Sequence, residues 1–300
     1  MGGNMRVHRA FLTAKENWMF YVPALGVFGV FFIFPAFSAF YYGMTDWDGL
    51  SRTLNFIGFN NFKELLSDKV SLKALLNTFE YTLLFSASVN VFGVMLALIF
   101  DQKMKTAKLM KTVFFMPDVF SAVIAGYLFT YIYSPRGGLV NEVLKAVGLG
   151  MFTKTWLGDV KTVIPAIVFT SIWQYLGAHG VMYLAGLQSI PTDLYEAADI
   201  DGVTLFSRFR NITLPLLGPA ITLNCVWALI NYFKVFDIIF IMTNGGPVNA
   251  SQSVTTMIYQ FAFKNSRFGY AAALGIVLFL IIAGMSMFLA SNLRKREVEM

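Results

Sequence analysis

Six stretches of this chain are apolar over the thickness of a bilayer, and this restricts the fold more than any other feature. A helix needs about 20 apolar residues to cross the hydrocarbon, at about 1.5 Å of rise per residue. The stretches 18–42, 78–100, 112–133, 163–187, 215–242 and 269–291 all reach that length. A lone segment in lipid must satisfy its own backbone hydrogen bonds, so strands are excluded and helices remain. The sequence therefore predicts an all-α transmembrane protein, a six-span helical bundle. Only 13% of the residues are charged, against about 25% in a soluble domain, too few to cover a surface in water. The first apolar run exceeds the roughly 7–15 residues of a signal-peptide core, so it is expected to persist as a spanning helix.

Lysine and arginine placement sets the direction of threading, because cytoplasmic segments retain them. Arg6, Arg9 and Lys15 precede the first span. Lys103, Lys105, Lys108 and Lys111 crowd the link between the second and third, and Arg294, Lys295 and Arg296 follow the last. All three groups fall on one side of a six-span chain, so both termini are expected in the cytoplasm. The longer loops 43–77, 134–162 and 243–268 then lie outside. The chain divides into a cytoplasmic tail (1–17), a first span with its outer loop (18–72), a five-helix core (73–291) and a second cytoplasmic tail (292–300). The net charge of +6 sits at the ends of apolar runs and not among aromatics on a water-facing helix, which excludes nucleic acid as a partner. Cys225 is the single cysteine, so neither an intrachain disulfide nor a cysteine-based zinc cluster can form.

The segment 188–214 carries the most information. Asp193 and Glu196 have capping-box spacing, Pro191 favours a helix start, and Gly202 can supply the left-handed residue that ends such a helix. A second short helix with Phe206 and Phe209 on one side is expected to run to Leu214, and Pro215 to restart the chain as a span. The first helix presents a small patch, Ala197 and Ala198, among the acids Glu196 and Asp199. A small patch allows close approach of another protein, and the acids add complementary charge. An ordinary solvated helix–turn–helix fits the same residues.

Glu196-Ala197-Ala198, Gly202 and Ile212, Leu214 and Pro215 resemble the EAA loop of binding-protein-dependent ABC transporter permeases. A second block, Phe236-Asp237, Thr243-Asn244-Gly245-Gly246-Pro247 and Phe268-Gly269-Tyr270-Ala271-Ala272-Ala273, is similar to the carbohydrate-uptake branch, the maltose-type and glycerol-3-phosphate-type subunits. The resemblance covers most of 73–291. It implies a bacterial cytoplasmic membrane protein whose EAA loop, with Glu196, Ala197, Ala198, Asp199, Gly202, Leu214 and Pro215, seats a coupling helix in an ATPase. It also implies a second permease subunit, two ATPase subunits, an extracytoplasmic solute-binding protein and a sugar substrate. No Gly-x-x-x-x-Gly-Lys-Ser/Thr phosphate loop occurs in the chain. No cofactor is therefore expected here, with ATP and magnesium on the partner ATPases, and the chain is expected to be a non-catalytic transport subunit.

Candidate pathway residues follow from helical spacing. Ser171, Gln174, Tyr175 and Ala178 share one face of the fourth span. On the fifth, Asn224, Trp227, Asn231 and Lys234 fall within about a quarter of the circumference at roughly 100° per residue. Amides, hydroxyls and an aromatic platform suit a sugar, although polar groups in spans also serve helix–helix hydrogen bonding. Alignment to the maltose-type subunit brings Ser171, Tyr175 and Tyr232 to its sugar-contacting positions. Lys234 is costly in a span and needs a partner; Asp237, three residues on, is expected to pair with it. The alternative is an anionic substrate, glycerol-3-phosphate or a uronate oligosaccharide, met by Lys234. An ion-coupled secondary carrier would need intramembrane carboxylates, for which only Asp118 and Asp237 are placed, and the inverted repeats common in such carriers are not evident. A membrane hydrolase finds no nucleophile motif around Ser121 or Ser171 and only His8 and His179 for a base.

Overall fold

The computed structural model describes residues 21–102, 105–295 and 297. Arg6, Arg9, Lys15, Lys103, Arg296 and the N-terminal tail 1–17 lie outside the described residues. Helices and connecting loops make up the described chain, with a single isolated bridge between Thr45 and Phe56.

Helix α1 (Tyr21–Gly43) contains one wide turn, Gly29–Ile33. Pro35 follows this turn and has no N–H to continue the regular ladder. A short helix α2 (Asn60–Ser67) leads into α3 (Lys69–Phe100). Asp68 caps α3, accepting from the backbone of Val70 at 3.0 Å and Ser71 at 3.2 Å. This cap starts the helix nine residues before the expected boundary at 78, so much of the outer loop expected over 43–77 is helical. The buried residues of α3, from Ala74 through Thr78, Tyr81, Phe85 and Val89 to Leu96, recur every three or four positions. That period makes a core-facing stripe, and α3 packs most extensively on α7 (Val163–Gln188).

The expected third span is broken. Helices α4 (Ala107–Val119) and α5 (Ala122–Ile132) meet at 98°. Ser121 caps α5, accepting from Ile124 N–H at 3.3 Å. A short amphipathic helix, α6 (Leu139–Ala146), precedes α7.

The segment after α7 forms α8 (Thr192–Ile200) and α9 (Leu205–Leu216), and α10 (Gly218–Phe233) follows at 67° to α9. The span therefore restarts at Gly218, with Pro219 in the first turn where no N–H is needed, and not at Pro215. Pro215 instead follows a wide turn at Phe209–Thr213, repeating the arrangement before Pro35. Beyond α10 the chain opens at residues 234–236 and resumes as α11 (Asp237–Met242). The expected fifth span, 215–242, is thus two pieces. Helix α12 (Val254–Tyr259) and the long α13 (Phe268–Arg294) complete the chain.

Among the described residues, three helices are long and apolar enough to cross a membrane outright, and up to five if each bent pair counts as one span. The fourth expected span coincides with α7, whose 26 residues are ample. However, Thr170, Ser171, Gln174 and His179 face its core side, which lowers its hydropathy. Among the described residues, a count of six is reached when α7 and each bent pair are taken as one span apiece.

Candidate functional site

Both helix breaks open onto one cavity of about 270 Å³. Backbone groups freed inside a membrane are tolerated only where protein or a water-filled cavity receives them, and here the receivers can be named. At the first break Gln174 Nε2 donates to the Phe120 carbonyl at 2.9 Å. At the second, the Val235 carbonyl accepts from Ser253 Oγ at 3.0 Å and from Thr255 Oγ1. The cavity is the meeting point of these interruptions with α3 and α7.

Seven candidates and the proposed ion pair can be placed directly. Ser171, Gln174 and Tyr175 line the cavity from α7. Trp227, Asn231 and Tyr232 line it from α10, and Lys234 and Asp237 stand at the open ends of α10 and α11. Asn224 does not reach it. It is fully buried one turn further along α10 and bonds His179. Lys234 and Asp237 are both exposed, and they are not among the three ion pairs of the described residues. The i, i+3 geometry expected of them needs a continuous helix, and the helix ends between them. Each instead sits at the helix end its charge favours, the cation at a C-terminus and the anion at an N-terminus.

The cavity wall combines flat aromatic surface with open hydrogen-bonding atoms. Phe85 lies on Tyr232 with centroids 3.8 Å apart and planes 4° apart. Gln174 Oε1 and Tyr232 OH are buried without a hydrogen-bond partner. The Phe120 carbonyl fixes which end of the Gln174 amide points away from it, since only the NH₂ can donate there. Ser171 already gives its hydroxyl proton to Ile167 at 3.1 Å, and Asn231 donates to Trp227 at 2.9 Å. A hydroxyl-bearing ligand would supply what Gln174 and Tyr232 lack. Phe85 and Ala122 also line the cavity; they come from other elements and carry no polar signal in the sequence.

At the opposite end, α8 follows Pro191 with no side-chain cap, so the expected capping box of Asp193 and Glu196 does not form. Asp193 lies in the first turn, where its charge favours the helix dipole. Gly202 ends the helix with φ +68°, a conformation that costs other residues about 1–2 kcal/mol, and Val203 N–H returns to Ala198 O at 3.0 Å. Asp199 pairs with Arg208 at 2.7 Å, and Tyr195 OH meets Thr213 Oγ1 at 3.1 Å. These contacts fold α8 and α9 into one unit. Ala198 is buried inside it, so of the expected small patch only Ala197 is exposed, with the acids Glu196 and Asp199 exposed beside it. Leu214 is exposed and Pro215 half-buried. The outer surface is more apolar than expected: Ile200 is 86% exposed, Leu205 76% and Phe206 71%. Phe206 and Phe209 do not share a side, since Phe209 is partly buried.

A multi-pass, all-α membrane protein with a polar cavity at two broken helices and a braced loop between α7 and α10 has the form of a transport subunit. The chain belongs to the family of binding-protein-dependent transport system inner membrane components, which it matches over residues 89–297. It is 37% identical to a probable ABC transporter permease protein of Bacillus subtilis, over 90% of this chain and 93% of that one. A multiple sugar-binding transport system permease protein of Streptococcus mutans is 33% identical, over 97% and 99%. Among solved structures, the bacterial alginate ABC transporter in complex with alginate pentasaccharide-bound periplasmic protein matches with TM-score 0.81 and 25% identity, over 94% of this chain and 96% of that one. The chain is thus an ABC importer permease, a non-catalytic transport subunit.

Proposed function

We propose that this chain forms, with a second and related permease subunit, the membrane path for a sugar or oligosaccharide handed over by an extracytoplasmic binding protein. The cavity carries this reading: one stacked aromatic wall beside buried acceptor and hydroxyl atoms that await partners. Sugar-transport relatives and the complex of the alginate transporter with its periplasmic protein support the substrate class and the outer partner. The cytoplasmic partners are two ATPase subunits that hold ATP and magnesium. Glu196, Ala197 and the apolar side chains beside Gly202 seat α8 in a cleft of one of them. Closure of the ATPase pair then moves α8 and rocks the bundle about the cavity as a rigid body. Both termini lie on the cytoplasmic side of a bacterial inner membrane, a placement that the distribution of basic residues supports.

The test is ATP hydrolysis by the complex in vesicles, with a binding protein loaded from a panel of neutral and uronate mono- to pentasaccharides. Wild type is expected to show stimulated hydrolysis with uptake, and Glu196→Ala to lose the stimulation while the complex still assembles. If no ATPase co-purifies, or uptake follows an ion gradient in place of ATP, the importer reading is wrong.

A further inference from the structure

Between the cavity and the coupling loop, α7 and α10 are joined by a pair that lines neither. His179 and Asn224 are fully buried, with Nδ1 2.9 Å from Oδ1. Asn224 Nδ2 donates to the Ala220 carbonyl at 2.9 Å. Its Oδ1 is therefore the acceptor, and the His179 proton lies on Nδ1. Nε2 is left as a bare acceptor with no partner among the described residues. Burying a polar pair with one atom open costs more than an apolar contact of the same shape. Such a pair at the centre of an apolar bundle calls for an explanation beyond stability.

Its neighbours supply one. Toward the cavity, the imidazole stands edge-on to Trp227, with centroids 5.0 Å apart and planes at 76°. It is also edge-on to Phe85 at 6.1 Å, and Phe85 is stacked on Tyr232. Trp227, Phe85 and Tyr232 are all cavity wall. Toward the loop, α7 and α10 approach until a Cβ on Gly186 would stand 2.5 Å from that of Ala220. Below this contact the loop is braced by the Asp199–Arg208 and Tyr195–Thr213 contacts. The pair lies midway along a continuous packed strip from α8 to the Trp227 wall.

We infer that the His179–Asn224 hydrogen bond is a clasp. It makes α7, the coupling loop and α10 move as one body, so that displacement of α8 reaches Trp227 without being lost in sliding between the helices. His179 is a positioning residue: it touches no substrate and acts through Trp227. Closely packed interfaces of this kind shift between discrete arrangements and do not deform gradually. This inference rests on the importer reading above.

The experiment reads uptake per ATP hydrolysed by the whole complex in vesicles, using the panel oligosaccharide that wild type accumulates. His179→Ala is expected to lower that ratio about 5- to 10-fold, within the usual range for coupling between sites, with basal hydrolysis retained. His179→Phe keeps the ring volume without the donor and is expected to match it, which covers failure of the alanine variant to assemble. His179→Gln restores a donor toward Asn224 and is expected to recover the ratio to within about twofold of wild type. Combining His179→Ala with Trp227→Ala is expected to be no worse than the poorer single variant, as for groups acting in series. An unchanged ratio in His179→Phe overturns the clasp, as does a fall in uptake matched by an equal fall in hydrolysis. A wild-type complex with no stimulated hydrolysis overturns the importer reading instead, so the two failures are distinct.

Discussion

The cavity and the α8–α9 segment, proposed above as the coupling loop, depart from ordinary protein surfaces in opposite ways. The cavity buries polar atoms and leaves them unpaired: Gln174 Oε1 and Tyr232 OH. The loop exposes apolar side chains and leaves them uncovered: Ile200, Leu205 and Phe206, each more than 70% exposed. A buried unpaired polar atom is a cost that a ligand hydroxyl removes. An ordered, exposed apolar cluster is a cost that another protein surface removes. On the function proposed above, the two ends of the subunit take partners of different chemistry, a small hydroxylated molecule at one and a protein cleft at the other.

The comparison is broken most directly at the loop, where the largest effect is expected. Ile200→Asp combined with Leu205→Asp places two charges where an apolar contact is needed. Burying each native side chain is worth about 1.5–3 kcal/mol, so binding-protein-stimulated hydrolysis and uptake are expected to fall at least about 100-fold. Thermal stability of the isolated subunit is expected to stay within about 0.5 kcal/mol, because both side chains already face solvent. Undiminished uptake by this variant would mean that the apolar face is not the docking surface.

The two ends also differ in how far they can be read without coordinates. The coupling loop is local: Pro191, Gly202 and the residues between them lie in one short segment, and the left-handed turn at Gly202 stands where the spacing places it. What spacing does not reveal is that Ala198 turns inward, because that depends on α9 folding back through the Asp199–Arg208 contact. The cavity is non-local. Ser171, Gln174 and Tyr175 share a face by helical period, as do Trp227 and Asn231, and both faces meet in the cavity. Asn224 obeys the same period yet lies a turn too low and is claimed by His179. The breaks at Phe120–Ser121 and at residues 234–236 interrupt apolar runs that look continuous. They persist because Gln174, Ser253 and Thr255, distant in sequence, receive the freed carbonyls. Lys234 and Asp237 were read as a pair across one helical turn, and the turn is what is missing.

An intermediate effect is expected where one side chain serves fold and ligand together. Gln174→Leu removes the donor to the Phe120 carbonyl at the α4–α5 break, a hydrogen bond worth about 0.5–1.5 kcal/mol. It also removes the open Oε1. Both the melting temperature of the complex and the uptake rate are expected to fall, the latter roughly tenfold. A variant that transports poorly but melts like wild type would detach the α4–α5 break from Gln174 and leave the residue a ligand role alone.

The smallest effect separates the two roles most cleanly. The Tyr232 hydroxyl has no hydrogen-bond partner among the described residues, and its ring stacks on Phe85 in a way that phenylalanine can reproduce. Tyr232→Phe therefore loses nothing from the fold, and removing a buried unpaired hydroxyl is expected to leave the melting temperature unchanged or slightly raised. If the hydroxyl is kept for the ligand, the half-saturating concentration of sugar-loaded binding protein should rise about 3- to 10-fold, the worth of one hydrogen bond of roughly 1 kcal/mol. Basal hydrolysis should be untouched, since the coupling loop lies at the far end of α10. A drop in melting temperature with unaltered uptake would assign the hydroxyl to the protein, and the contrast between an unpaired cavity and an uncovered loop would lose its first half.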